Sequence, residues 1–352
     1  MQSVYCPSNL PTTAVGLKTQ CLQQFSDVIC EKIGCFRGWT VTTEDVDGDL
    51  HTIHTKVPYI FGAETTACEK EIKMLLDNKI VSRFDEKPKH IIPWFSVPKK
   101  NTTERRIVLD FRGLNKLTSR SPSFPLHKDS IIQNLSGNKY YAKFDFKSGF
   151  YQLQLNPALR CYFTIFLKGQ TFAFDRLPMG WINSMAFFDN AVRITLSQVK
   201  DLIKTAGISS TIEGYVDDVC IAANSFKELA QTVFIFLSVC KQMGWTLSPS
   251  KAVWGAQSIE FLGLTFSAEG VLPSHDIRRK LSQLKPPQSK SDLRSCLGVI
   301  RVILRYCCMS SYSLKTLQRQ SNWTTPNIAA YWKTHQEEWT DILQQVKRCW
   351  YC

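Results

Sequence analysis

Apolar residues recur at helical spacing in two long stretches of the chain. Between Met185 and Ile203 they are three or four positions apart, which predicts a helix with one buried face that ends near Gly207. The stretch 229–243 has the same spacing and is followed by Gly244, a residue type that often ends helices. The buried face of the first helix is predicted to consist of Met185, Phe188, Val192, Leu196, Val199 and Ile203.

Shorter stretches alternate between apolar and polar residues, which is the pattern of β-strands. One of them begins at Tyr141 and places Tyr141, Lys143 and Asp145 on the same face of the predicted strand. Two strand-like runs nearer the N-terminus, 94–98 and 106–111, are joined by a short polar and basic segment. These two runs therefore predict a β-hairpin.

A second predicted hairpin has an unusually short connection. The apolar runs 211–216 and 219–223 are separated only by Asp217 and Asp218. With the elements above, the order becomes strand, helix, two strands, helix and strand. This order is typical of a split βαβ arrangement, an α/β (α+β) fold in which two helices back an antiparallel sheet.

The flanking segments differ in character from this arrangement. Residues 1–56 are polar and acidic with little periodicity, so we expect a leader or linker there. A helix is predicted over 69–80, and Ser289 begins a helix-start signature followed by an apolar stripe. The predicted division of the chain is therefore 1–56, 57–268 and 269–352.

The composition indicates a folded, basic protein. Apolar residues make up 44% of the 352, which excludes a wholly disordered chain. Lys and Arg number 43 against 30 Asp and Glu, for a net charge of +13. Residues 270–352 carry 13 of these basic residues and 5 acidic ones. Such a surplus favours a polyanionic partner, with nucleic acid ahead of a membrane.

Several features indicate an intracellular protein. The thirteen cysteines are odd in number and scattered, which favours reduced thiols over a disulfide framework. The N-terminal residues lack a basic start followed by an apolar run, and no stretch is apolar enough to span a bilayer. We therefore expect an intracellular, cytoplasmic location and no membrane partner.

Three carboxylates are candidates for catalysis. Asp217 and Asp218 lie in a tight turn without a glycine to ease it, and Asp145 ends the strand that the split βαβ topology places alongside. Three unpaired acids repel each other unless cations lie between them, and hard oxygen ligands select Mg²⁺. Two such ions about 3.5 to 4 Å apart are the catalytic device of polymerases. A surface hairpin with solvated acids remains the alternative at this point.

The ordered motifs around these acids resemble those of reverse transcriptases, in particular the retroviral and gypsy-type LTR retrotransposon enzymes of Pol polyproteins. The resemblance extends from residue 57 to about 310. It is also seen in flanking segments at Phe25-Ser-Asp-Val28 and Leu293-Arg-Ser-Cys-Leu-Gly298. The motifs that carry it are Arg106-Ile-Val-Leu-Asp-Phe-Arg-Gly-Leu-Asn115, Phe144-Asp-Phe-Lys-Ser-Gly-Phe-Tyr-Gln-Leu-Gln-Leu155, Leu177-Pro-Met-Gly-Trp181, Tyr215-Val-Asp-Asp218 and Phe261-Leu-Gly-Leu264.

The resemblance implies a right-hand polymerase with fingers, palm and thumb that copies RNA or DNA templates into DNA from a primer. It implies a metal set of Asp145, Phe146, Asp217 and Asp218 for two Mg²⁺ ions, with Mn²⁺ as a substitute. Lys99, Lys100 and Arg106 would hold the dNTP triphosphate, and Lys251 would donate a proton to pyrophosphate. Phe150 would exclude a 2′-hydroxyl, and Met179 would lie behind the incoming base. The primer grip would be Phe261, Leu262, Gly263 and Leu264, and the template-primer contacts would be Arg278, Arg279, Lys280 and Lys285.

The sequence also departs from the pattern of the resemblance. Met185 replaces a proline that retroviral relatives carry, and no Asp-Thr-Gly or Asp-Ser-Gly protease motif is present. Beyond Lys285 the acidic residues are too few for an RNase H site. We therefore expect the protease and RNase H domains to be supplied by the rest of a polyprotein.

Two rival interpretations remain open. An RNA-dependent RNA polymerase would share the palm, but it is disfavoured by Val216, where glycine is usual, and by Phe150 at the sugar position. A decayed or co-opted retroelement protein that binds nucleic acid without catalysis is disfavoured by the presence of all three acids.

Overall fold

The computed structural model describes Pro7 and residues 9–41, 68–98, 105–122, 127–167, 169–304, 317 and 319–348. The chain divides into two compact units. The first comprises Met1–Leu135 and Lys139–Ala256, and the second comprises Ser136–Asn138 and Gln257–Cys352.

The first unit contains most of the strands. Its described helices are α1 (Ala14–Gln24), α2 (Glu69–Asp77), α3 (Arg112–Leu117), α4 (Lys128–Leu135), α5 (Ser184–Thr205) and α6 (Phe226–Met243). Its described strands are β1 (Val81–Arg83), β2 (Trp94–Pro98), β3 (Arg105–Leu109), β4 (Tyr140–Asp145), β5 (Thr164–Leu167), β6 (Gln170–Phe174), β7 (Ser210–Tyr215), β8 (Asp218–Ala223) and β9 (Val253–Ala256). Short 3₁₀ helices cover Gly149–Gln152 and Pro157–Tyr162.

The central sheet confirms the predicted split βαβ fold. Its strand order is β7-β8-β4-β9 and all its pairings are antiparallel. Helix α5 packs on β7, and α6 packs on β8 and β4. Phe144 of β4 is fully buried between the rings of Phe236 and Trp254. The apolar face of β4 thus anchors the sheet to the helices behind it.

The turn between β7 and β8 differs from the prediction by one residue. Tyr215 pairs with Asp218, so the two-residue turn consists of Val216 and Asp217, and Asp218 is the first residue of β8. Val216 has φ +57°, a left-handed conformation that is costly for a β-branched residue. The expected backbone strain is therefore present, at Val216.

The buried face of α5 is confirmed except at its first predicted position. Phe188 is buried, as are the other apolar positions that follow it, but Met185 is 44% exposed. In the first turn of α5, Ser184 takes the inward position instead and donates a hydrogen bond to the carbonyl of Pro178 (2.6 Å). Helix α2 also ends earlier than predicted, because Lys79 has φ +51°.

The N-terminal segment packs into the core of the first unit, whereas its composition predicts a leader or linker. Leu17, Phe25 and Phe36 are among its buried residues and belong to the same apolar cluster as the central sheet. Ile29 also forms a parallel bridge with Leu247. The apolar residues in this segment are sparse, and their burial depends on a distant part of the chain.

Two smaller sheets complete the first unit. Strands β2 and β3 form the predicted hairpin, in which Trp94 pairs with Leu109 and Val97 pairs with Arg106. The other sheet has the order β1-β6-β5 and is antiparallel.

The second unit combines a small sheet with helices. Its strands β10 (Ser258–Phe261), β11 (Leu264–Ser267) and β12 (Gly270–Pro273) form an antiparallel sheet in that order. The helices are α7 (His275–Ser282), α8 (Lys290–Leu304), α9 (Thr325–Thr334) and α10 (Gln336–Arg348), with a 3₁₀ turn at Gln320–Asn322.

The helix-start signature at Ser289 is confirmed. The hydroxyl of Ser289 accepts a hydrogen bond from the Asp292 amide (3.1 Å). Leu293, Leu297 and Ile300 of α8 are buried in a core that includes Trp332 and Trp339. The predicted division at 56 and 268 stays a prediction. Within the described parts of the chain, no helix is long and apolar enough to cross a membrane.

Candidate active site

Two of the predicted carboxylates lie on adjacent strands at the same level. Asp145 ends β4 and Asp218 begins β8, and the two residues are direct partners in the antiparallel register. Asp217 occupies the adjoining turn, and its carbonyl accepts a hydrogen bond from the amide of Phe146 (3.0 Å). The hairpin and the end of β4 therefore bring all three acids to one edge of the sheet.

The environment of Asp218 favours its neutral form. Burial raises the pKa of Asp218 above its ordinary value of 3.8, and the charges of Asp217 and Asp145 raise it further. Lys143 and Lys251 act in the opposite direction by stabilising the charged form. The three carboxylates thus affect each other electrostatically, which is expected of a site that gathers negative charge for a cation.

Lys251 is bound to one of these acids. Its Nζ donates a hydrogen bond to Oδ2 of Asp145 at 2.8 Å. The Asp145 side chain is 8% exposed, whereas the Lys251 side chain is 61% exposed. The hydrogen bond to Asp145 raises the pKa of Lys251, so its ammonium form is stabilised.

The donor set at this edge suits a hard divalent cation. Asp145, Asp217 and Asp218 offer carboxylate oxygens, the ligands that Mg²⁺ prefers. The ring of Phe146 is buried against Trp245, with 4.7 Å between ring centroids, so its only possible ligand is the backbone carbonyl. Among the residues that the structure describes, no three acidic, His or Cys side chains are already arranged around one point for a metal. The residues fit the metal by chemistry and proximity, and Asp145 is engaged by Lys251.

Lys143 is a site residue that the sequence reasoning did not select. It lies two positions before Asp145 in β4, opposite Cys220 of β8, and its charge lowers the pKa of Asp218. The signal was available in the sequence, because the alternation of this strand places Lys143 and Asp145 on one face.

A hydrogen-bonded bracket supports the segment just after Asp145, and it was also missed. The side chain of Gln152, fully buried, donates to the carbonyls of Lys147 (2.8 Å) and Thr246 (2.9 Å) and accepts from the Thr246 amide (2.8 Å). The Thr246 hydroxyl accepts from the Gly34 amide and donates to the Lys32 carbonyl, both at 2.9 Å. No local sequence signal links these residues, because Gly34 and Thr246 are 212 positions apart.

Phe150 lies in the 3₁₀ turn that follows Asp145. Its ring is half-buried and packs on Phe188, with 4.9 Å between ring centroids. Gly149 makes this turn possible, because a Cβ at that position would lie 2.5 Å from the Phe188 ring. The exposed part of Phe150 is therefore held by a rigid aromatic support.

The basic residues of the β2–β3 hairpin face different surroundings. Arg105 is tied to the hairpin itself and donates hydrogen bonds to the Ser96 hydroxyl (2.6 Å) and carbonyl (2.8 Å). Arg106, the next residue, is exposed. Lys99 and Lys100 lie outside the described residues. Of the three triphosphate ligands predicted on this hairpin, Arg106 thus lies within the described residues, at an exposed position of β3.

Met179 lies on an exposed turn held by a neighbouring helix. Its side chain is 64% exposed, and Gly180 beside it has φ +106°. Asn115 holds this turn because its amide donates to the Gly180 carbonyl (3.1 Å) and accepts from the Ile182 amide (2.8 Å). The Asn115 that ends the first quoted motif thus positions the turn that presents Met179.

The predicted primer grip is the turn between β10 and β11. Phe261 pairs with Leu264, and both are buried. The two turn residues, Leu262 and Gly263, both have positive φ, at +56° and +79°. This combination is typical of a tight hairpin turn whose twist matches that of the strands. The four residues therefore form a tight hairpin turn, whereas their contact with a primer stays a prediction.

The four predicted template-primer residues lie in or after α7. Arg279 and Lys280 are exposed and form ion pairs with Asp276 at 2.7 Å and 2.5 Å. Arg278 is half-buried, and Lys285 is exposed. The acid that pairs with Arg279 and Lys280 moderates the positive charge of this helix.

Comparison with known families decides the class of this site. Residues 97–266 match the family described as "Reverse transcriptase (RNA-dependent DNA polymerase)". The match includes the β2–β3 hairpin from Val97 onward, all three carboxylates and the β10–β11 turn. This segment is a reverse transcriptase domain.

Relatives of the reverse transcriptase domain are parts of viral polyproteins. The chain is 26% identical to the Pro-Pol polyprotein of simian foamy virus type 3 (strain LK3) over 243 residues, covering 67% of the chain and 20% of the polyprotein. It is 26% identical to the enzymatic polyprotein of cauliflower mosaic virus (strain D/H) over 288 residues, covering 80% and 40%. The chain therefore spans between a fifth and two fifths of the length of these relatives.

Solved structures show the same fold. The foamy viral protease-reverse transcriptase in complex with double-stranded DNA has a TM-score of 0.80 at 18% identity, covering 98% of this chain and 62% of that one. The same viral enzyme in complex with an RNA/DNA hybrid has a TM-score of 0.75 at 19% identity, covering 97% and 48%. The fold of the described units is thus that of a polymerase with fingers, palm and thumb. Reverse transcriptases generally use divalent metal ions, in agreement with the hard oxygen donors described above.

Proposed function

We propose that this chain is the polymerase part of a retroelement Pol polyprotein and extends a primer on an RNA or DNA template with deoxynucleotides. The observation that carries this proposal is the pairing of Asp145 with Asp218, with Asp217 in the adjoining turn, inside a reverse transcriptase domain. A solvated surface hairpin would not need a half-buried acid on one strand directly opposite a buried acid on the next.

The carboxylates Asp145, Asp217 and Asp218, with the carbonyl of Phe146, would hold two Mg²⁺ or Mn²⁺ ions. When bound, such ions activate the primer 3′-hydroxyl and neutralise the leaving pyrophosphate. The Lys251 ammonium, whose pKa is raised, is the candidate proton donor to pyrophosphate.

The other proposed contacts follow the geometry of the first unit. The exposed guanidinium of Arg106, with Lys99 and Lys100, would bind the triphosphate, because a planar guanidinium suits phosphate oxygens. Phe150 would lie beneath the deoxyribose and leave no space for a 2′-hydroxyl, since Phe188 supports its ring. Met179 would contact the incoming base with a flexible apolar side chain.

The second unit would bind the template-primer. Phe261, Leu262, Gly263 and Leu264 would hold the primer end through the backbone and shape of their turn. Arg278, Arg279, Lys280 and Lys285 would contact duplex phosphates, and binding should therefore weaken with added salt. The foamy viral complexes with DNA and with an RNA/DNA hybrid support a duplex partner for this fold.

The wider setting is also part of the proposal. Protease and RNase H functions would come from the rest of the polyprotein, as the names of the relatives suggest for the protease. We propose a gypsy-type LTR retrotransposon as the source, on the basis of the motifs quoted above. The location would be cytoplasmic, free or in virus-like particles.

Primer extension tests the proposed function. The template is poly(rA), the primer is oligo(dT), and the reaction contains Mg²⁺ with either dTTP or UTP. We expect dTTP extension by the wild type and none by the variant Asp217→Asn with Asp218→Asn. The control is Asp201→Asn, which changes an exposed acid on α5 and should extend normally.

The other outcomes separate the rivals. Incorporation of UTP at a rate similar to dTTP would contradict the role of Phe150 and favour an RNA polymerase. A folded protein that binds the primer-template but extends it with neither nucleotide would favour a binding protein without catalysis.

A further inference from the structure

The salt bridge between Asp145 and Lys251 joins a buried carboxylate to a largely exposed ammonium group. The Asp145 carboxylate is 8% exposed, and it lies beside the acids Asp217 and Asp218. A buried charge that also faces like charges is costly unless a cation accompanies it. The Nζ of Lys251 supplies this cation at 2.8 Å from Oδ2.

Lys251 is free to leave this contact at low cost. Its side chain is 61% exposed and ends in a flexible ammonium group. The backbone nearby is fixed independently, because the amide of Ser248 donates to the carbonyl of Asp145 (2.8 Å). The ammonium can therefore move by rotation of its own side chain while the turn that carries it stays in place.

The same carboxylate oxygens are the ones that a divalent ion requires. A divalent ion bound to Oδ2 of Asp145 would compete with the Lys251 ammonium for this oxygen, because both are cations. In the described part of the chain, the three acids are not arranged as a completed metal site, and the Lys251 contact uses one of them.

We propose that Lys251 is a placeholder cation, which holds Asp145 in the metal-free protein and is displaced from it when a divalent ion binds. The displaced ammonium would then be available to the triphosphate of the substrate. This inference rests on the proposed function, since it assigns metal ions to these carboxylates. Metal loading and the release of a phosphate-binding lysine would thus be one event.

Lys143 provides a contrast within the same site. It acts on Asp218 through its charge, and it lies in the middle of β4, paired with Cys220 and Val253. Removing its charge changes the electrostatic field of the site without removing the contact to Asp145. The two lysines therefore separate a general charge effect from displacement.

The first test measures the reactivity of lysine amines. The full chain is treated briefly with an acetylating reagent, with and without MgCl₂, and acetylation of each lysine is quantified by mass spectrometry. We expect Mg²⁺ to increase the acetylation rate of Lys251 by about two- to fivefold, the upper part of the range that a single exposed ion pair contributes to an equilibrium. Lys241, paired with Asp27 at 3.0 Å on the surface, is the internal control and should not respond.

The variant Asp145→Asn sharpens this test. Without the carboxylate charge, Lys251 should be reactive before Mg²⁺ is added and should gain little from it. An unchanged or slower Lys251 reaction in wild-type protein with Mg²⁺ overturns the proposal.

The second test measures the binding of Mn²⁺ to the protein alone by electron paramagnetic resonance. Lys251→Met should tighten Mn²⁺ binding by about two- to fivefold, because the competing ammonium is gone. Lys241→Met should leave the affinity unchanged. An equal gain in Lys143→Met and Lys251→Met would show a general charge effect and overturn displacement.

The outcomes also distinguish this inference from the proposed function. Wild-type protein that binds Mn²⁺ and extends primers, but shows no Lys251 response, contradicts the inference alone. Protein that binds no Mn²⁺ in any variant contradicts both.

Discussion

Asp145 and Asp218 face each other directly across strands β4 and β8, and no residue separates them in the register. Two acids in this position repel, and burial adds to the cost of charging Asp218. Lys251 binds the first acid and Lys143 stabilises the charged form of the second. Two lysines thus compensate part of the negative charge of this pair.

Because its pKa is raised in the folded protein, removing the charge of the Asp218 carboxylate should increase the free energy of unfolding. The folded state binds the Asp218 proton more tightly than the unfolded state, so stability falls as pH rises from 3.8 through the folded pKa. In metal-free buffer at neutral pH, Asp218→Asn should therefore unfold at a higher denaturant concentration than the wild type. The gain from this source should vanish below pH 3.8.

The control for this prediction is Asp201→Asn on α5, an exposed acid that should give no such gain. A variant Asp218→Asn that is less stable than wild type at neutral pH would show that its carboxylate is net stabilising.

The support of Phe150 by Phe188 predicts how nucleotide selection changes with side-chain size. Phe150→Val removes the ring, so the preference for dTTP over UTP in primer extension should fall by about 10- to 100-fold. The free energy of unfolding should fall by about 1–2 kcal/mol, less than for a fully buried ring, because the Phe150 ring is only partly buried against Phe188. Phe150→Tyr keeps the ring and should keep the preference, and continued rejection of UTP by the valine variant would refute the assignment.

The Thr246 bracket predicts a marked loss of stability from a small change. Thr246→Val keeps the shape but leaves the Gly34 amide without its acceptor, which should lower the free energy of unfolding by about 1–3 kcal/mol. Thr246→Ser retains the hydroxyl and should restore most of the loss. The matched control is Thr205→Val at the exposed end of α5, with a loss under about 0.5 kcal/mol. Chemical denaturation measures all three, and equal losses at Thr246 and Thr205 would contradict the bracket.

The left-handed turn of the β10–β11 hairpin predicts opposite effects at its two residues. Asparagine tolerates positive φ better than leucine does, and Asn-Gly is a preferred pair in such turns. Leu262→Asn should therefore raise the free energy of unfolding by roughly 0.5 kcal/mol. Gly263→Ala adds a Cβ 3.1 Å from Ile277 at φ +79°, so it should cost about 1–2 kcal/mol.

Primer affinity provides the functional measurement for the same turn. Leu262→Asn preserves the backbone and should keep primer binding, whereas Gly263→Ala should weaken it. Weaker primer binding in the asparagine variant would assign the grip to the Leu262 side chain rather than to the backbone.

Local patterns in the sequence determined much of this fold. The apolar spacing of 185–203 and 229–243 predicted α5 and α6, because burial of one helix face requires that period. The apolar runs around Asp217 predicted the β7–β8 hairpin, since a two-residue connection has few geometries. The alternation of 141–145 already placed Asp145 and Lys143 on one face.

The tertiary structure alone decided which distant residues meet. The partnership of Asp145 with Asp218 depends on strand register, and a shift of one residue would separate the acids without changing either local pattern. The hydrogen bonds from Lys251 to Asp145 and from the Gly34 amide to the Thr246 hydroxyl also depend on the tertiary fold, because each joins distant parts of the chain. The burial of Leu17, Phe25 and Phe36 could not be predicted for the same reason, because these sparse apolar side chains become core only against a sheet formed more than a hundred positions later. The spacing of apolar residues in the sequence indicates which face of a helix or strand is buried. Which other segment covers that face is determined by the packing of the whole chain.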